Sequence, residues 1–101
     1  MSGTAMPVDE ATSPITHDQP GQRFIVVRDG HEAWLEYRQA GDILTITHTI
    51  VPAAIGGRGI AGELVRTALD FARAKGWRVR PECSYTEAWM RRHPEYEDLR
   101  A

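Results

Sequence analysis

The fold is decided by residues 43–81, which read ILTITHTIVPAAIGGRGIAGELVRTALDFARAKGWRVRP. The β-branched stretch Ile43–Val51 is followed by a glycine-rich turn, and apolar residues then recur at helical spacing from Ile60 onward. Gly76 marks the end of that helix, and Trp77–Arg80 is a short strand that a proline ends. The order strand, helix, strand predicts two parallel strands joined by a right-handed crossover.

Two further strands are predicted before this unit. Arg23–Arg28 is short, apolar and β-branched, and His31–Gln39 alternates apolar with polar residues. Glycine-containing turns separate these strands from the third, so the three form an antiparallel meander. A second helix over Ser84–Arg92 opens with Ser84 and Glu87 in capping-box positions. The predicted fold is α+β: an antiparallel β-meander followed by a β-α-β-α unit in a mixed sheet.

Length and composition restrict the classes of protein to which the chain can belong. The 101 residues make one domain at most; residues 1–22 hold three prolines and no apolar periodicity, so we expect a flexible tail before a folded domain over 23–101. The net charge of −2, with basic and acidic residues interspersed, argues against a nucleic-acid partner. One cysteine, four histidines without ligand spacing and no apolar run of membrane length predict a cytoplasmic protein without a disulfide, metal site or membrane partner. We expect a monomer or a weak dimer.

The turn Gly56-Gly57-Arg58-Gly59 is the main candidate site. The first N–H groups of a helix lack intrahelical partners and carry partial positive charge. Glycines let phosphate oxygens approach the backbone without a Cβ in the way, and Arg58 adds a guanidinium that can reach a phosphate. The turn therefore predicts an anion site, the alternative being a loop that only needs flexible glycines.

Two common phosphate-binding patterns fit this turn poorly. A P-loop requires Lys-Ser or Lys-Thr after its glycines, and neither dipeptide follows here. The dinucleotide fingerprint G-x-G-x-x-G is matched by Gly57, Gly59 and Gly62, and Glu82 stands where a ribose-binding acid would lie. However, Pro52–Gly56 separate the strand from the glycines, and the chain is too short for a doubly wound sheet. A dinucleotide binder is therefore the disfavoured alternative.

The turn resembles the pyrophosphate loop of the GNAT acetyltransferases, Q/R-x-x-G-x-G/A. Gly59 and Ala61 occupy its glycine and small-residue positions, whereas Gly56 replaces the first Gln or Arg. That departure removes a side chain but no backbone N–H group. The likeness covers about Phe24 to Leu99 and is typical of a subfamily of minimal GNAT-like proteins. It continues in three segments: HTIVP at 48–52, RPECSY at 80–85 and RHPEY at 92–96.

The resemblance implies a domain that binds acetyl-CoA or coenzyme A. The backbone at the end of the third strand would receive the pantetheine arm, and the glycine loop would bind the pyrophosphate. The thioester would lie where the third strand and the strand Trp77–Arg80 splay apart. The cofactor-binding residues predicted in this way are Ile50, Val51, Gly56, Gly57, Arg58, Gly59, Ile60, Ala61 and Ser84.

Acetyl transfer to an amine requires a base, an oxyanion donor and a proton for the leaving thiolate. His48 would lie beside the thioester, and histidine is the residue type most often used as a base at neutral pH, although a regular strand would leave His48 half-buried beside Ile46 and Ile50. Cys83 would lie on the opposite side and could accept the acetyl group if His48 or the helix N-terminus activated it. The alternative for a lone cysteine is a small buried hydrophobe.

The acid that protonates the leaving thiolate is harder to assign. Many GNAT proteins use a Tyr of the last helix, and this chain has Trp89 there. Tyr85 and Tyr96 are substitutes at shifted positions, while Glu82 and Glu87 are alternative bases. The resemblance thus implies an N-acetyltransferase that moves acetyl to a primary amine of a small molecule or a protein. The missing Tyr favours the alternative, a CoA-binding module with little or no transferase activity.

Overall fold

The computed structural model describes residues 14–101. The helices and strands follow the predicted order and confirm the α+β class, with one additional strand at the start. They are β1 (Thr16–Asp18), β2 (Arg23–Arg28), β3 (His31–Ala40), β4 (Ile43–Ile50), α1 (Ile60–Lys75), β5 (Arg78–Pro81) and α2 (Ser84–Arg92), with 3-10 helices at Ala53–Ile55 and Pro94–Leu99.

The five strands form one mixed sheet in the order β1-β2-β3-β4-β5, so neighbours in the sheet are neighbours in the chain. The first four strands pair antiparallel. β4 and β5, on either side of α1, pair parallel, as the strand–helix–strand order predicted. One parallel pair among the described residues is too little for a doubly wound dinucleotide-binding sheet.

The predicted tail over residues 1–22 is wrong in its last part. Residues 16–18 form β1, which pairs with β2; residues 1–13 lie outside the described range. β1 is held by His17, whose ring stacks on Phe24 at a centroid distance of 4.0 Å and meets Phe71 edge-on at 4.5 Å. His17 Nε2 also lies 2.6 Å from Tyr37 Oη. Burial among these groups lowers the pKa of His17.

The core lies between one face of the sheet and α1. The helix forms because its apolar residues recur on one stripe, and both ends carry glycines in the left-handed conformation, Gly59 and Gly76. The stripe is buried against the alternating inward residues of the strands. The largest fully buried apolar side chains are Phe24, Val26, Leu35, Leu44, Ile46, Ile55, Leu64, Val65, Leu69, Val79 and Met90.

A β-bulge interrupts β4 where the strand approaches the candidate site. Glu36 pairs with His48, but the next residue of β3, Tyr37, pairs with Ile46. Thr47 is therefore an extra residue, and its hydroxyl donates to the backbone oxygen of Glu36 at 3.2 Å. A bulge of this kind bends its strand and redirects the side chains beyond it.

The bulge reverses the expected faces of β4. A regular strand would place His48 and Ile50 on the same face as Ile46, and this prediction is wrong. Ile46 is completely buried, whereas Ile50 is 39% exposed and His48 is exposed. Thr49 instead pairs with the buried Leu35 and takes the core side. His48 thus lies on the outer face of the sheet.

Candidate functional site

The second half of β4 has an open edge. β5 pairs with β4 only up to Ile46, whose carbonyl accepts the N–H groups of Glu82 and Cys83 at 3.0 Å each. β4 continues to Ile50 and remains paired with β3. Within residues 14–101, no strand pairs with Thr47–Ile50 on the other side. We call the space between this edge and Cys83 the gap.

The glycine loop ends at an uncapped helix N-terminus. Gly57 and Gly59 have φ values of 78° and 77°, a conformation that side-chain-bearing residues rarely adopt. Gly59 is the N-cap of α1 and provides no side-chain cap, and the first helical hydrogen bond runs from Glu63 N to Gly59 O at 3.1 Å. The N–H groups of the first turn can therefore donate to an anion.

A cavity of about 280 Å³ joins this loop to the end of β4. Tyr85 borders it from α2; every other lining residue belongs to the predicted cofactor-binding set. The structure therefore brings together most of the residues that the resemblance grouped. The lining residues are Val51, Gly56, Gly57, Gly59, Ile60, Ala61 and Tyr85.

Three predicted cofactor-binding residues do not line this cavity. Arg58 pairs with Asp29 in the β2–β3 turn. Ile50 projects from the outer face, although its backbone belongs to the open edge. Ser84 is exposed at the first position of α2.

The predicted capping box is wrong. The N-cap of α2 is Cys83 rather than Ser84, and no side chain caps the helix. Glu87 instead pairs with Arg91 at 2.8 Å and with Arg100 at 2.6 Å. Because those arginines hold its carboxylate, Glu87 does not reach back to the start of the helix.

Cys83 faces the gap from α2. Its Sγ lies 3.6 Å from Thr49 Oγ1, and the residue is partly exposed. Burial, the largest single influence, raises the pKa of the Cys83 thiol. The N–H and hydroxyl of Thr86, the Thr49 hydroxyl and the N–H of Tyr85 outweigh it, so the net pKa is lowered. The thiolate is the nucleophilic form of cysteine, so a lowered pKa favours nucleophilic chemistry at Cys83.

His48 lies on the other face of β4 and is held there by a carboxylate. Its Nδ1 is 3.6 Å from Glu36 Oε1, while Glu36 Oε2 accepts the indole N–H of Trp34 at 2.7 Å. Sequence reasoning missed Glu36, because only the bulge at Thr47 brings it opposite His48.

A second cavity, of about 400 Å³, adjoins the loop and shares Gly59 with the first. Gly62 lets α2 approach α1 closely here, since a Cβ at that position would lie 3.2 Å from Trp89 Nε1. The Arg66 guanidinium lies 5.2 Å from the Trp89 ring centroid, a cation–π arrangement. Sequence reasoning did not single out Arg66.

The described residues include neither a metal-binding cluster nor a membrane-spanning helix. Over residues 14–101, no group of three His, Cys, Asp or Glu side chains is arranged to hold a metal ion. In the same range, no helix is long and apolar enough to cross a membrane.

The family model of GCN5-related N-acetyl-transferases matches residues 23–99. That match covers most of the chain and includes the open edge of β4, the glycine loop and Cys83. The chain therefore belongs to the GCN5-related N-acetyltransferase family.

Its relatives agree with this assignment. Protein NATD1 of Bos taurus is 36% identical over 83 residues, which cover 79% of this chain and 74% of the relative. Protein NATD1 of Homo sapiens is 35% identical over 83 residues, which again cover 79% of this chain and 74% of the relative. An NMR solution structure of a GCN5-like protein from Staphylococcus aureus superposes with a TM-score of 0.70 at 22% identity, covering 87% of each chain. That likeness confirms the fold.

Proposed function

We propose that this protein is a cytoplasmic N-acetyltransferase that moves the acetyl group of acetyl-CoA to a primary amine of a small molecule or a protein. The observation that carries the proposal is the open edge of β4, which runs from the gap to the glycine loop. An extended ligand with amide groups can add to such an edge as a strand would. The pantetheine arm of CoA is a ligand of this kind.

The residues around the cavities fit the rest of CoA. The N–H groups at the start of α1 would hold the pyrophosphate, with Gly57 and Gly59 allowing close approach. Arg66 and the ring of Trp89 offer a charge and an aromatic surface to the nucleotide end. Acetyl-CoA bound in this way supplies an activated thioester carbonyl in the gap.

Two residues, His48 on the outer face of β4 and Cys83 at the start of α2, are the candidates for the transfer step. His48, oriented by Glu36, would take a proton from the incoming ammonium group. Cys83, whose pKa is lowered, would be able to accept the acetyl group before the amine does. Tyr85 borders the loop cavity and is the candidate proton donor to the leaving thiolate. The direct and the two-step routes remain alternatives within the proposal.

A CoA-binding module with little or no transferase activity is the second candidate. Trp89 stands where many GNAT proteins have the acidic Tyr; it is 4% exposed and stacks on His93 at 3.7 Å. Its indole N–H donates a hydrogen bond but does not serve as a proton donor to a thiolate. This observation favours binding without efficient turnover.

The deciding experiment is calorimetric titration with CoA and acetyl-CoA, with NAD as the control ligand. Micromolar binding of both CoA species and no binding of NAD would support the proposed cofactor. A panel of primary amines, assayed for release of CoA, would then separate the two candidates. A binding-competent protein with no turnover on any amine would favour the module, and failure to bind CoA would overturn both.

A further inference from the structure

The surroundings of Cys83 suggest a second use for the gap. Cys83 is the only cysteine of the chain, so an intrachain disulfide is impossible. Its sulfur contacts the hydroxyl of Thr49 in β4 at 3.6 Å, and the residue is partly exposed. Any disulfide at this position must therefore be made with a partner that enters the gap.

A second, independent observation comes from Thr86, in the first turn of α2. Its Oγ1 is completely buried and makes no hydrogen bond among the described residues. Leaving a buried hydroxyl unpaired costs about 1–3 kcal/mol. Thr86 follows the N-cap Cys83 by three residues, so both lie on the first turn of α2, and the Thr86 hydroxyl also lowers the pKa of the thiol. An anionic sulfur at this position gives the hydroxyl the acceptor that it lacks.

We propose that Cys83 exchanges with CoA disulfide and forms a mixed disulfide with CoA, which closes the site to acetyl-CoA when the CoA pool is oxidised. The proposal rests on the proposed function, because it requires the CoA half to bind along the open edge and the glycine loop.

The exchange balances without a further oxidant. The Cys83 thiolate attacks one sulfur of CoA disulfide, the S–S bond breaks, and the Cys83–CoA disulfide forms. The other CoA half leaves as a thiolate and takes up a proton, so Cys83 is oxidised while that half is reduced. A free thiol such as glutathione reverses the reaction by the same steps. Binding of the CoA half raises the effective concentration of the disulfide at Cys83 above that of a disulfide that does not bind.

The test compares two disulfides on the reduced full-length chain. CoA disulfide and glutathione disulfide are supplied at equal concentrations, and intact-mass spectrometry follows the adduct. We expect one CoA adduct on Cys83, at a rate that saturates with CoA disulfide and is roughly tenfold or more above that for glutathione disulfide. Desulfo-CoA, which lacks the thiol, should compete for the CoA site and slow the reaction of Cys83 with CoA disulfide but not the reaction with glutathione disulfide.

Four variants separate CoA binding from thiol reactivity. Ala61→Glu places a carboxylate at the start of α1 and should remove the preference for CoA disulfide. Ala74→Glu, the same change at an exposed position late in α1, should keep the preference. Thr86→Val should lower the rates of adduct formation with both disulfides by the same factor, and Thr86→Ser should restore both rates.

Calorimetry with CoA on the same samples distinguishes the possible failures. Equal rates with the two disulfides, in a chain that binds CoA, would overturn the exchange proposal and leave the proposed function standing. If a chain that binds CoA forms no adduct with CoA disulfide, the exchange proposal is likewise overturned and the proposed function still stands. A chain that binds no CoA would overturn both.

Discussion

The gap and the C-terminal segment, residues 94–101, differ in whether their polar groups have partners within the chain. In the C-terminal segment, Tyr96 Oη donates to Asp70 at 2.7 Å, and Arg73 pairs with Asp98 at 3.0 Å. The N–H of Ala101 donates to the carbonyl of Val79 in β5 at 2.8 Å. Tyr96 and Asp98 thus have partners on α1, and the last backbone N–H of the segment has a partner on β5.

The gap lacks such partners. Among residues 14–101, no strand pairs with residues 47–50 on the edge of β4 that faces away from β3, α1 begins without a side-chain cap, and Thr86 Oγ1 is buried without a hydrogen bond. Protein interiors satisfy their buried polar groups almost completely, so exceptions require an explanation. One region of this small domain is thus completed by its own chain, whereas the other leaves polar groups that the ligand of the proposed function would complete.

The largest expected effect is a loss of stability caused by a substitution in the C-terminal segment that leaves the gap unchanged. Leu99 is 6% exposed in the C-terminal segment, so Leu99→Ala should lower the free energy of unfolding by about 2–4 kcal/mol by leaving a cavity. Urea titration measures this loss, and Leu99→Met should recover most of it. Calorimetry below the unfolding transition should show unchanged CoA affinity. A parallel fall in affinity would mean that the two regions are not independent.

The next effect is specific to the gap and the loop. Ala61→Glu should weaken CoA binding about 100-fold, or about 2.7 kcal/mol, because its carboxylate repels the pyrophosphate. The free energy of unfolding should stay the same or rise slightly, since an acidic residue at a helix N-terminus is favourable. Calorimetry and urea titration of the same sample measure both. Undiminished CoA affinity would remove the start of α1 from the site.

A third, smaller effect tests the bulge. Deleting Thr47 should keep His48 opposite Glu36, because Thr47 is the extra residue of the bulge. The straightened strand should narrow the gap and weaken CoA binding roughly tenfold, or about 1.4 kcal/mol. Circular dichroism checks that the fold is kept, and calorimetry measures the binding. Unchanged affinity would show that the bend of β4 does not shape the gap.

The smallest expected effect is a pH dependence of the C-terminal segment. Hydrogen bonds from Arg100 lower the pKa of Glu87 and of Glu97 below the ordinary value of 4.5. Their stabilising effect is therefore present above that value and is lost as the pH falls through the lowered pKa values. Arg100→Gln should lower the urea midpoint at neutral pH, and the difference from the parent chain should shrink in acid. A difference that persists unchanged in acid would argue against the ion pairs.

Much of this architecture could be predicted from the sequence. The bounds of α1 follow from its apolar stripe and from the glycines at its two ends, Gly59 and Gly76. The parallel pair β4–β5 follows from the handedness and spacing of a strand–helix–strand unit. These features are local, so residues close in the chain determine them. The grouping of the loop residues around one cavity depended on the family resemblance.

The features that the sequence did not reveal depend on distant residues. β1 has three residues, and rings from β2 and α1 hold it through His17. The bulge at Thr47 follows from pairing with β3, and alternation along β4 alone does not show it. Cys83 precedes a Ser that fits a capping pattern better, but arginines elsewhere hold Glu87, which would complete that pattern. Tertiary context decided each of these outcomes.

The sheet order has a kinetic consequence. Because the order in space repeats the order in the chain, each strand pairs with the strand just before it, and only the step from β4 to β5 spans a helix. Closing short loops costs little conformational entropy, and domains rich in local contacts fold quickly. The meander can therefore assemble hairpin by hairpin, and docking of α1 with β5 is the step that should limit the folding rate.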